Sequence, residues 1–149
     1  MLRRATPEDF AELFDRTRAL NSHEGIELDD TALTVALRRL LAEPELGGAW
    51  LIERAGVGVI GYAIVTWGYD FEFGGRDAYL TELWVDPEHR GGGAGEAALA
   101  ELVGELAAAE VGALHLLVRP ENPAMRLYAR AGFVASPRIV MTRELRPGR

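Results

Sequence analysis

Cysteine and lysine are both missing from this chain of 149 residues, so all 16 of its Lys and Arg positions are arginine. The absence of cysteine excludes disulfides, thiolate nucleophiles and cysteine-ligated zinc sites. The absence of lysine excludes Schiff-base chemistry and the phosphate-binding lysine of P-loop proteins. Any chemistry of this chain must therefore use carboxylates, hydroxyls, imidazoles, guanidinium groups or the backbone.

The sequence also has no apolar run close to the roughly 20 residues that cross a bilayer, and no secretory signal follows Met1. Its formal net charge of −7 argues against nucleic-acid binding and favours a cationic partner. We therefore expect a cytoplasmic protein that binds neither nucleic acid nor membrane. The length and the 48% hydrophobic content predict one domain over residues 1–149.

Hydrophobic periodicity predicts a mixed α/β protein with the element order β α α β β β α β α β β. Helices are expected over 6–20, 29–43, 95–111 and 122–132. Strands are expected over 2–6, 49–53, 59–73, 78–85, 113–118, 133–135 and 138–145. The strand–helix–strand unit at its centre requires a parallel pair. We therefore predict a mixed, mostly antiparallel sheet of six or seven strands flanked by about four helices.

The segment RGGGAG at 90–95 places four glycines between a predicted strand and a predicted helix. A flexible turn, a dinucleotide fingerprint, a P-loop or another anion-binding loop would each use glycine. The P-loop is excluded because no lysine and hydroxyl follow the glycines. A dinucleotide fingerprint is disfavoured, because it would follow its strand directly and lie in the first βαβ unit, which these glycines do not. Glycines at a helix N-terminus let backbone amides approach an anion, so we favour a pyrophosphate-binding loop to which Arg90 adds positive charge.

Two stretches of the sequence resemble motifs of a known family. LWVDPEHRGGGAGEAAL at 83–99 resembles the acyl-CoA-binding motif of the GNAT superfamily of N-acetyltransferases, with Arg90, Gly93 and Gly95 at its fixed positions. NPAMRLYARAGF at 122–133 is similar to the Asn…Tyr…Gly-Phe signature that follows in this family. The resemblance spans nearly the whole chain. It implies a GNAT-like fold with a splayed central pair of parallel strands and acetyl-CoA as the acyl donor.

The resemblance also implies how the coenzyme is held. The backbone of 83–85 would pair with the pantetheine arm and polarise the thioester carbonyl, and the amides of 90–95 would hold the pyrophosphate. Asn122 and the start of the next helix would contact the other side of the arm. The implied coenzyme-binding residues are Leu83, Trp84, Val85, Arg90, Gly91, Gly92, Gly93, Ala94, Gly95, Asn122, Ala124 and Tyr128.

Two side chains are candidates for the chemistry, which is attack of a neutral amine on a thioester. A protonated amine must first lose a proton, and Glu82, in an otherwise apolar strand, is the candidate base. Partial burial would raise the pKa of Glu82 toward a useful range. The alternative is a half-exposed surface glutamate on a strand edge. The departing thiolate needs a proton. Tyr128 matches the tyrosine that often donates it in this family, and the alternative is a core tyrosine.

Acidic segments at 21–30 and 68–82 fall where the acceptor pocket of this family is usually formed. Their carboxylates favour a small cationic amine, such as a polyamine or an aminoglycoside, and aromatic side chains there would add cation–π contacts. The segment YDFEFGGRDAYLTELWV also resembles part of bacterial small-molecule acetyltransferases. The expected acceptor-binding residues are His23, Glu24, Tyr69, Asp70 and Glu82.

Other functions stay open on the sequence. The chain could acetylate protein N-termini or lysines, or it could bind acyl-CoA as a sensor without turnover. Three scattered histidines make no metal site, so we expect no metal cofactor. Members of this family often dimerise through their later strands, which implies a homodimer.

Overall fold

The computed structural model describes residues 1–146. Its strands are β1 (Leu2–Arg4), β2 (Gly47–Arg54), β3 (Gly58–Asp70), β4 (Gly75–Val85) and β5 (Leu114–His115). Its α-helices are α1 (Phe10–Glu24), α2 (Asp30–Ala42), α3 (Ala94–Ala108) and α4 (Met125–Arg130). Short 3₁₀ helices cover Pro7–Asp9, Phe71–Phe73 and Pro87–His89.

The five strands form one sheet in the order β1-β2-β3-β4-β5. All neighbours are antiparallel except β4 and β5, which are parallel. The mixed sheet, its parallel pair and the four helices are therefore confirmed. The expected six or seven strands are not, because the described residues form five.

Apolar side chains cover both faces of this sheet. Leu99 and Leu102 of α3 pack on one face, together with partly buried residues of α4. Leu13 of α1 and Leu37 of α2 pack on the other face, against β2, β3 and β4. Val103 of α3 is 39% exposed, although its spacing from Leu99 and Leu106 along the helix predicts that it faces the core. No helix within residues 1–146 is both long and apolar enough to cross a membrane.

The expected last pair of strands is absent, because residues 134–146 form neither helix nor strand. We call this segment the C-terminal arm. β5 has two residues instead of the six expected at 113–118. A strand exists only where a neighbour pairs with its backbone, and within residues 1–146 β5 has only β4 beside it. The apolar pattern at 138–145 therefore indicates a segment that could form a strand, but it does not specify which strand would pair with it.

Helix α1 runs to Glu24, beyond the end predicted at residue 20. Gly25, with φ +69, ends it, and the Gly25 amide donates to the carbonyl oxygens of Asn21 and Ser22. His23 and Glu24 consequently lie on the last turn of a helix rather than in a loop. A helix holds their side chains more firmly than the polar break that we expected.

Candidate active site

A cleft opens where β4 and β5 separate. The two strands pair only at Ala78 with Leu114 and at Tyr79 with His115. Beyond these pairs, β4 continues to Val85 and the chain at 116–120 forms the opposite wall of a cavity of about 1200 Å³. Parallel strands that separate in this way leave backbone donors and acceptors free for a ligand. The cavity exceeds the roughly 300–1,000 Å³ of an ordinary small-molecule site, so it suits a long ligand.

The glycine loop closes one end of the cleft. Gly91 and Gly93 both have φ +84, a conformation that favours glycine, and Gly93 directly precedes the first turn of α3. The first amides of a helix have no partner within the helix, and the helix dipole favours an anion there. Gly91, Gly93, Ala94 and Gly95 line the cleft, whereas Gly92 does not. A Cβ on Gly95 would make only an ordinary 3.6 Å contact with Val85, so alanine is tolerated sterically there.

Arg90 fastens this loop to the end of β4. Its Nε donates to the carbonyl oxygen of Val85 at 2.7 Å, and its guanidinium lies 4.5 Å from the centre of the Trp84 ring. The positive charge expected of Arg90 is therefore present at the cleft, on an exposed side chain that these two contacts hold in place. This bond uses one of the two lone pairs of the Val85 carbonyl oxygen, so the backbone of 83–85 keeps the capacity to pair with a ligand.

Glu82 is turned to its face of the sheet by a β-bulge. Leu80 pairs with Val65 and Glu82 with Ile64, so Thr81 is an extra residue on β4. Because side chains alternate along a strand, an extra residue moves all those after it to the opposite face. Glu82 therefore joins the face covered by α1 and α2, while Leu83 beyond it faces α3.

Tyr62 of β3 holds the Glu82 carboxylate, and sequence reasoning missed it. The fully buried Tyr62 hydroxyl donates to Oε1 of Glu82 at 2.8 Å. Burial raises the pKa of Glu82, and the hydrogen bond from Tyr62 opposes part of that rise. Burial and the charge of Glu82 raise the pKa of Tyr62, so its hydroxyl stays a donor. The cross-strand pairing that joins these side chains cannot be derived from spacing along the chain.

Tyr128 lies in the same cleft, on α4. Its ring meets the Phe133 ring edge-on at 5.8 Å between centroids. Burial, followed by the charge of Glu24, raises the pKa of the Tyr128 hydroxyl. The hydroxyl therefore keeps its proton at neutral pH and can donate it to a group in the cleft.

The end of α1 completes the cleft. His23, Glu24 and Ile26 line it, and the His23 ring lies edge-on to the Trp84 ring at 6.1 Å. Asn122 and Ala124 line the opposite wall, where the carboxamide oxygen of Asn122 accepts from the Ala124 amide at 2.9 Å. The structure thus brings together the predicted residues from 82–85, from α1 and from the start of α4.

Tyr69 and Asp70, which we expected to bind the acceptor, do not line this cleft. They lie at the far end of the β3–β4 hairpin, where Tyr69 pairs with Arg76 and is 75% exposed. That end is roughly 20 Å from Glu82 along β4, at ~3.3 Å per residue. Asp70 instead accepts from the Glu72 amide at 2.9 Å and caps a 3₁₀ helix. The length of β4 therefore separates Tyr69 and Asp70 from Glu82, although all three belong to the acidic segment at 68–82.

The two ends of the cleft differ in charge. Arg90 and Arg130 stand at the glycine loop, where Arg130 is paired with Glu96 of the first turn of α3 at 3.3 Å. Glu24 and Glu82 stand on the side formed by α1 and β4. Among residues 1–146, no group of three or more His, Cys, Asp or Glu side chains could hold a metal ion.

A long cleft with an anion-binding loop at one end and a partly buried carboxylate on its wall suits a long, phosphorylated acyl donor. Comparison with known proteins identifies the family: residues 8–133 match the acetyltransferase (GNAT) family. The chain belongs to this family and is an acetyl-CoA-dependent acetyltransferase. No curated protein sequence is significantly similar to it.

Solved structures show the same fold. An integron cassette protein from the mobile metagenome of Cole Harbour salt marsh is 31% identical, with a TM-score of 0.86 over 98% of this chain and 91% of that one. A predicted acetyltransferase of Clostridium acetobutylicum, solved with acetyl-CoA, is 23% identical, with a TM-score of 0.78 over 96% and 95%. The ribosomal-protein-alanine N-acetyltransferase of Brucella melitensis is 19% identical, with a TM-score of 0.73 over 97% and 99%.

Proposed function

We propose that this acetyltransferase transfers an acetyl group from acetyl-CoA directly to the primary amine of a small, cationic acceptor. The observation that carries the proposal is the partly buried carboxylate of Glu82, held by Tyr62 on the wall of the same cleft as Tyr128. A carboxylate whose pKa is raised by desolvation is suited to take a proton in general base catalysis.

The residues of the cleft fit acetyl-CoA. The amides of Gly93, Ala94 and Gly95 would hold the pyrophosphate, and the backbone of 83–85 would pair with the pantetheine arm on the side facing Asn122. When bound, acetyl-CoA supplies an acyl carbon activated as a thioester and a thiol as leaving group.

Each side chain then has one task. Glu82 accepts a proton from the acceptor ammonium, directly or through water, which frees the nitrogen lone pair to form the amide bond. Tyr128 donates its proton to the sulfur as the carbon–sulfur bond breaks. It recovers a proton from the acceptor nitrogen, which loses its second proton as the amide forms. Glu82 releases the first proton to solvent, so one of the two protons lost by nitrogen ends on the thiol.

The acidic side of the cleft supports a cationic acceptor. Glu24 and Glu82 line it together with His23, whose ring is 6.1 Å from that of Trp84. Carboxylates at partly desolvated sites attract ammonium groups more strongly than exposed ones do. Glu24 and Glu82 are the carboxylates that would attract the acceptor, because Asp70 lies outside the cleft and Glu72 is paired with Arg138 at 2.6 Å.

The proposal is tested by measuring free thiol release from acetyl-CoA with a panel of acceptors. The panel contains a polyamine, an aminoglycoside, a primary amine with no charge besides its reacting ammonium, and a short peptide with a free N-terminus. We expect turnover with the polyamine or the aminoglycoside and weaker turnover with the amine that has no additional charge. Turnover with the peptide alone, or none with any small amine while acetyl-CoA binds, would contradict the proposal.

Replacing Tyr128 with phenylalanine tests the proton donor. A thiol with a pKa of about 8.5 leaves readily even without full protonation, so we expect kcat to fall about tenfold, less than for loss of the base. The packing against Phe133 should persist because the ring is kept. The matched control, Tyr69→Phe, lies outside the cleft and should leave kcat unchanged. Equal rates for the Tyr128 variant and the native enzyme would exclude the donor role.

Replacing Tyr62 with phenylalanine tests the group that holds Glu82. The hydrogen bond from Tyr62 lowers the pKa of Glu82, so its loss should raise that pKa further. The base must be ionised to act, and the acid limb of the profile of kcat/KM against pH should therefore move to higher pH. Activity at the alkaline plateau should be largely kept. A shift to lower pH, or an unchanged limb, would show that this hydrogen bond does not tune the base.

A further inference from the structure

A carboxylate–imidazole pair lies outside the cleft, at the point where β4 and β5 are still joined. Asp77 of β4 has only 3% of its surface exposed, and its Oδ2 lies 3.0 Å from Nε2 of His115, the last residue of β5. The sequence leaves room for this carboxylate, because its cross-strand partner is Gly68 and a Cβ there would collide with Oδ1 of Asp77. Burying a carboxylate is costly, yet neither member of the pair lines the cleft or takes part in the proton transfers of Glu82 and Tyr128.

Asp77 fixes which nitrogen of His115 carries the proton. An ionised carboxylate only accepts hydrogen bonds, so Nε2 of His115 is the donor. In the neutral ring Nδ1 then has a lone pair, and Nδ1 has no hydrogen-bond partner within residues 1–146. The His115 side chain is 27% exposed. It can therefore accept a hydrogen bond from a ligand, and the negative charge of Asp77 behind it favours a cationic donor.

Two aromatic rings flank the imidazole. The rings of Phe73 and Tyr79 each lie 5.0 Å from the His115 ring, measured between centroids. Both side chains are partly exposed, Phe73 at 39% and Tyr79 at 41%. Aromatic faces attract an ammonium group through their quadrupole. We call Phe73, Asp77, Tyr79 and His115 the His115 cluster. It combines aromatic faces, a hydrogen-bond acceptor and a negative charge, which together suit an ammonium group.

The arginines near this cluster are engaged elsewhere. Arg76 precedes Asp77 on β4 and therefore points to the other face of the sheet, where its guanidinium lies 5.5 Å from the centre of the Trp67 ring. Arg138 of the C-terminal arm pairs with Glu72 at 2.6 Å. In the part of the chain that the structure describes, the imidazole is the only ion-pair partner of Asp77. A cationic ligand would thus meet no competing arginine at this carboxylate.

The His115 cluster shares a face of the sheet with Glu82. Tyr79 pairs with Thr66 of β3 and Glu82 pairs with Ile64, and residues two apart on a strand point to the same face. His115 pairs with Tyr79 from the other side. Two residues of a strand span roughly 7 Å, and neighbouring strands lie about 5 Å apart. The cluster is therefore roughly 7–9 Å from Glu82, measured between backbones.

We propose that the His115 cluster binds a second ammonium group of the acceptor, which makes the acceptor a diamine or polyamine with two nitrogens roughly 7–9 Å apart. The first ammonium group is the one that loses its proton to Glu82, so this second site rests on the proposed function. The second group donates to Nδ1 of His115 and lies against the rings of Phe73 and Tyr79. The chain between the two nitrogens passes Leu117, which lines the cleft and is 69% exposed. The cluster thus selects acceptors by length.

Matched amines test the second ammonium group. Hexamethylenediamine and hexylamine have the same carbon chain, but only the first carries an ammonium group at each end. We expect thiol release with a kcat/KM about tenfold higher for hexamethylenediamine. Trimethylenediamine and propylamine form the short pair, in which the second ammonium group cannot reach the cluster, so this advantage should be absent. A preference for hexylamine, or the same ratio for the long and the short pair, would overturn the proposal.

Variants of the cluster test which side chains make this distinction. Tyr79→Leu removes a ring, and His115→Gln removes Nδ1 but keeps a donor for Asp77. In each variant the ratio of kcat/KM for hexamethylenediamine to that for hexylamine should fall towards one. Tyr69→Leu, at a tyrosine that is 75% exposed and outside the cleft, is the control and should keep the native ratio. A merely structural role would slow both amines alike and leave the ratio unchanged, which would contradict the proposal.

Binding without turnover separates failure of this site from failure of the proposed function. His115 is one of three histidines, so comparison with His115→Gln assigns its ring resonances. In the complex with CoA, hexamethylenediamine should shift these resonances and hexylamine should not. If this shift occurs while no amine supports thiol release, the proposed function fails and the ammonium site stands. If amines are acetylated but hexamethylenediamine leaves the His115 resonances unmoved, the ammonium site fails and the proposed function stands.

Discussion

Replacing Glu82 with glutamine should lower kcat/KM by about 10²- to 10⁴-fold, the range that a general base contributes, while acetyl-CoA binds as before. Glutamine keeps the size of the side chain and can still accept from the Tyr62 hydroxyl, which lies 2.8 Å from Oε1. It cannot take a proton from the acceptor ammonium. Steady-state thiol release gives kcat/KM, and titration calorimetry gives the affinity for acetyl-CoA.

The pH dependence separates this role from a structural one. Burial raises the pKa of Glu82, and the carboxyl must be ionised to act. In the native enzyme kcat/KM should therefore fall as the pH decreases through that pKa, and in the glutamine variant this limb should disappear. The exposed Glu45 supplies the matched control, since Glu45→Gln should change neither rate nor profile. A variant at 82 that keeps the native profile would assign the proton transfer to another group.

The parts of the site that are local in sequence could be predicted. The loop from Arg90 to Gly95 and the helix it opens are adjacent in the chain, so residue type and spacing define them. Glu82 could be singled out as a carboxylate in an apolar strand, and the structure does bury it in part, on the face opposite Leu83. In each case the prediction depends only on the residue types and their spacing within a single element.

The parts that depend on pairing between elements could not be predicted. Tyr62 reaches Glu82 only because the bulge at Thr81 sets the register between β3 and β4. Tyr69 lies in the acidic segment at 68–82, where the acceptor pocket of this family is usually formed, but the extended β3–β4 hairpin carries it away from Glu82. The last two strands failed for the same reason, because their apolar pattern at 133–145 does not specify a neighbour. A single sequence does not show which distant segments pair, or in which register they do so.

The second large effect is expected at the glycine loop. Replacing Gly93 with valine should weaken acetyl-CoA binding about 10- to 100-fold, because φ +84 is unfavourable for a β-branched residue. Holding such a conformation costs about 1–3 kcal/mol, and 1.4 kcal/mol corresponds to a factor of ten in affinity. A Cβ at this position would meet no atom within 4 Å, so the effect acts through the backbone that aims the amides. Titration calorimetry with acetyl-CoA measures it.

The neighbouring glycine provides the control that makes the comparison decisive. Gly92 lies outside the cleft lining and has no positive φ, and a Cβ there would approach only Nη2 of Arg54, at 3.9 Å. Gly92→Ala should therefore change the affinity by about twofold at most, as for an ordinary surface substitution. Gly93→Val should act on acetyl-CoA affinity, whereas Glu82→Gln should act on turnover. Identical behaviour of these two variants would show that binding of the coenzyme and proton transfer are not carried by separate parts of the cleft.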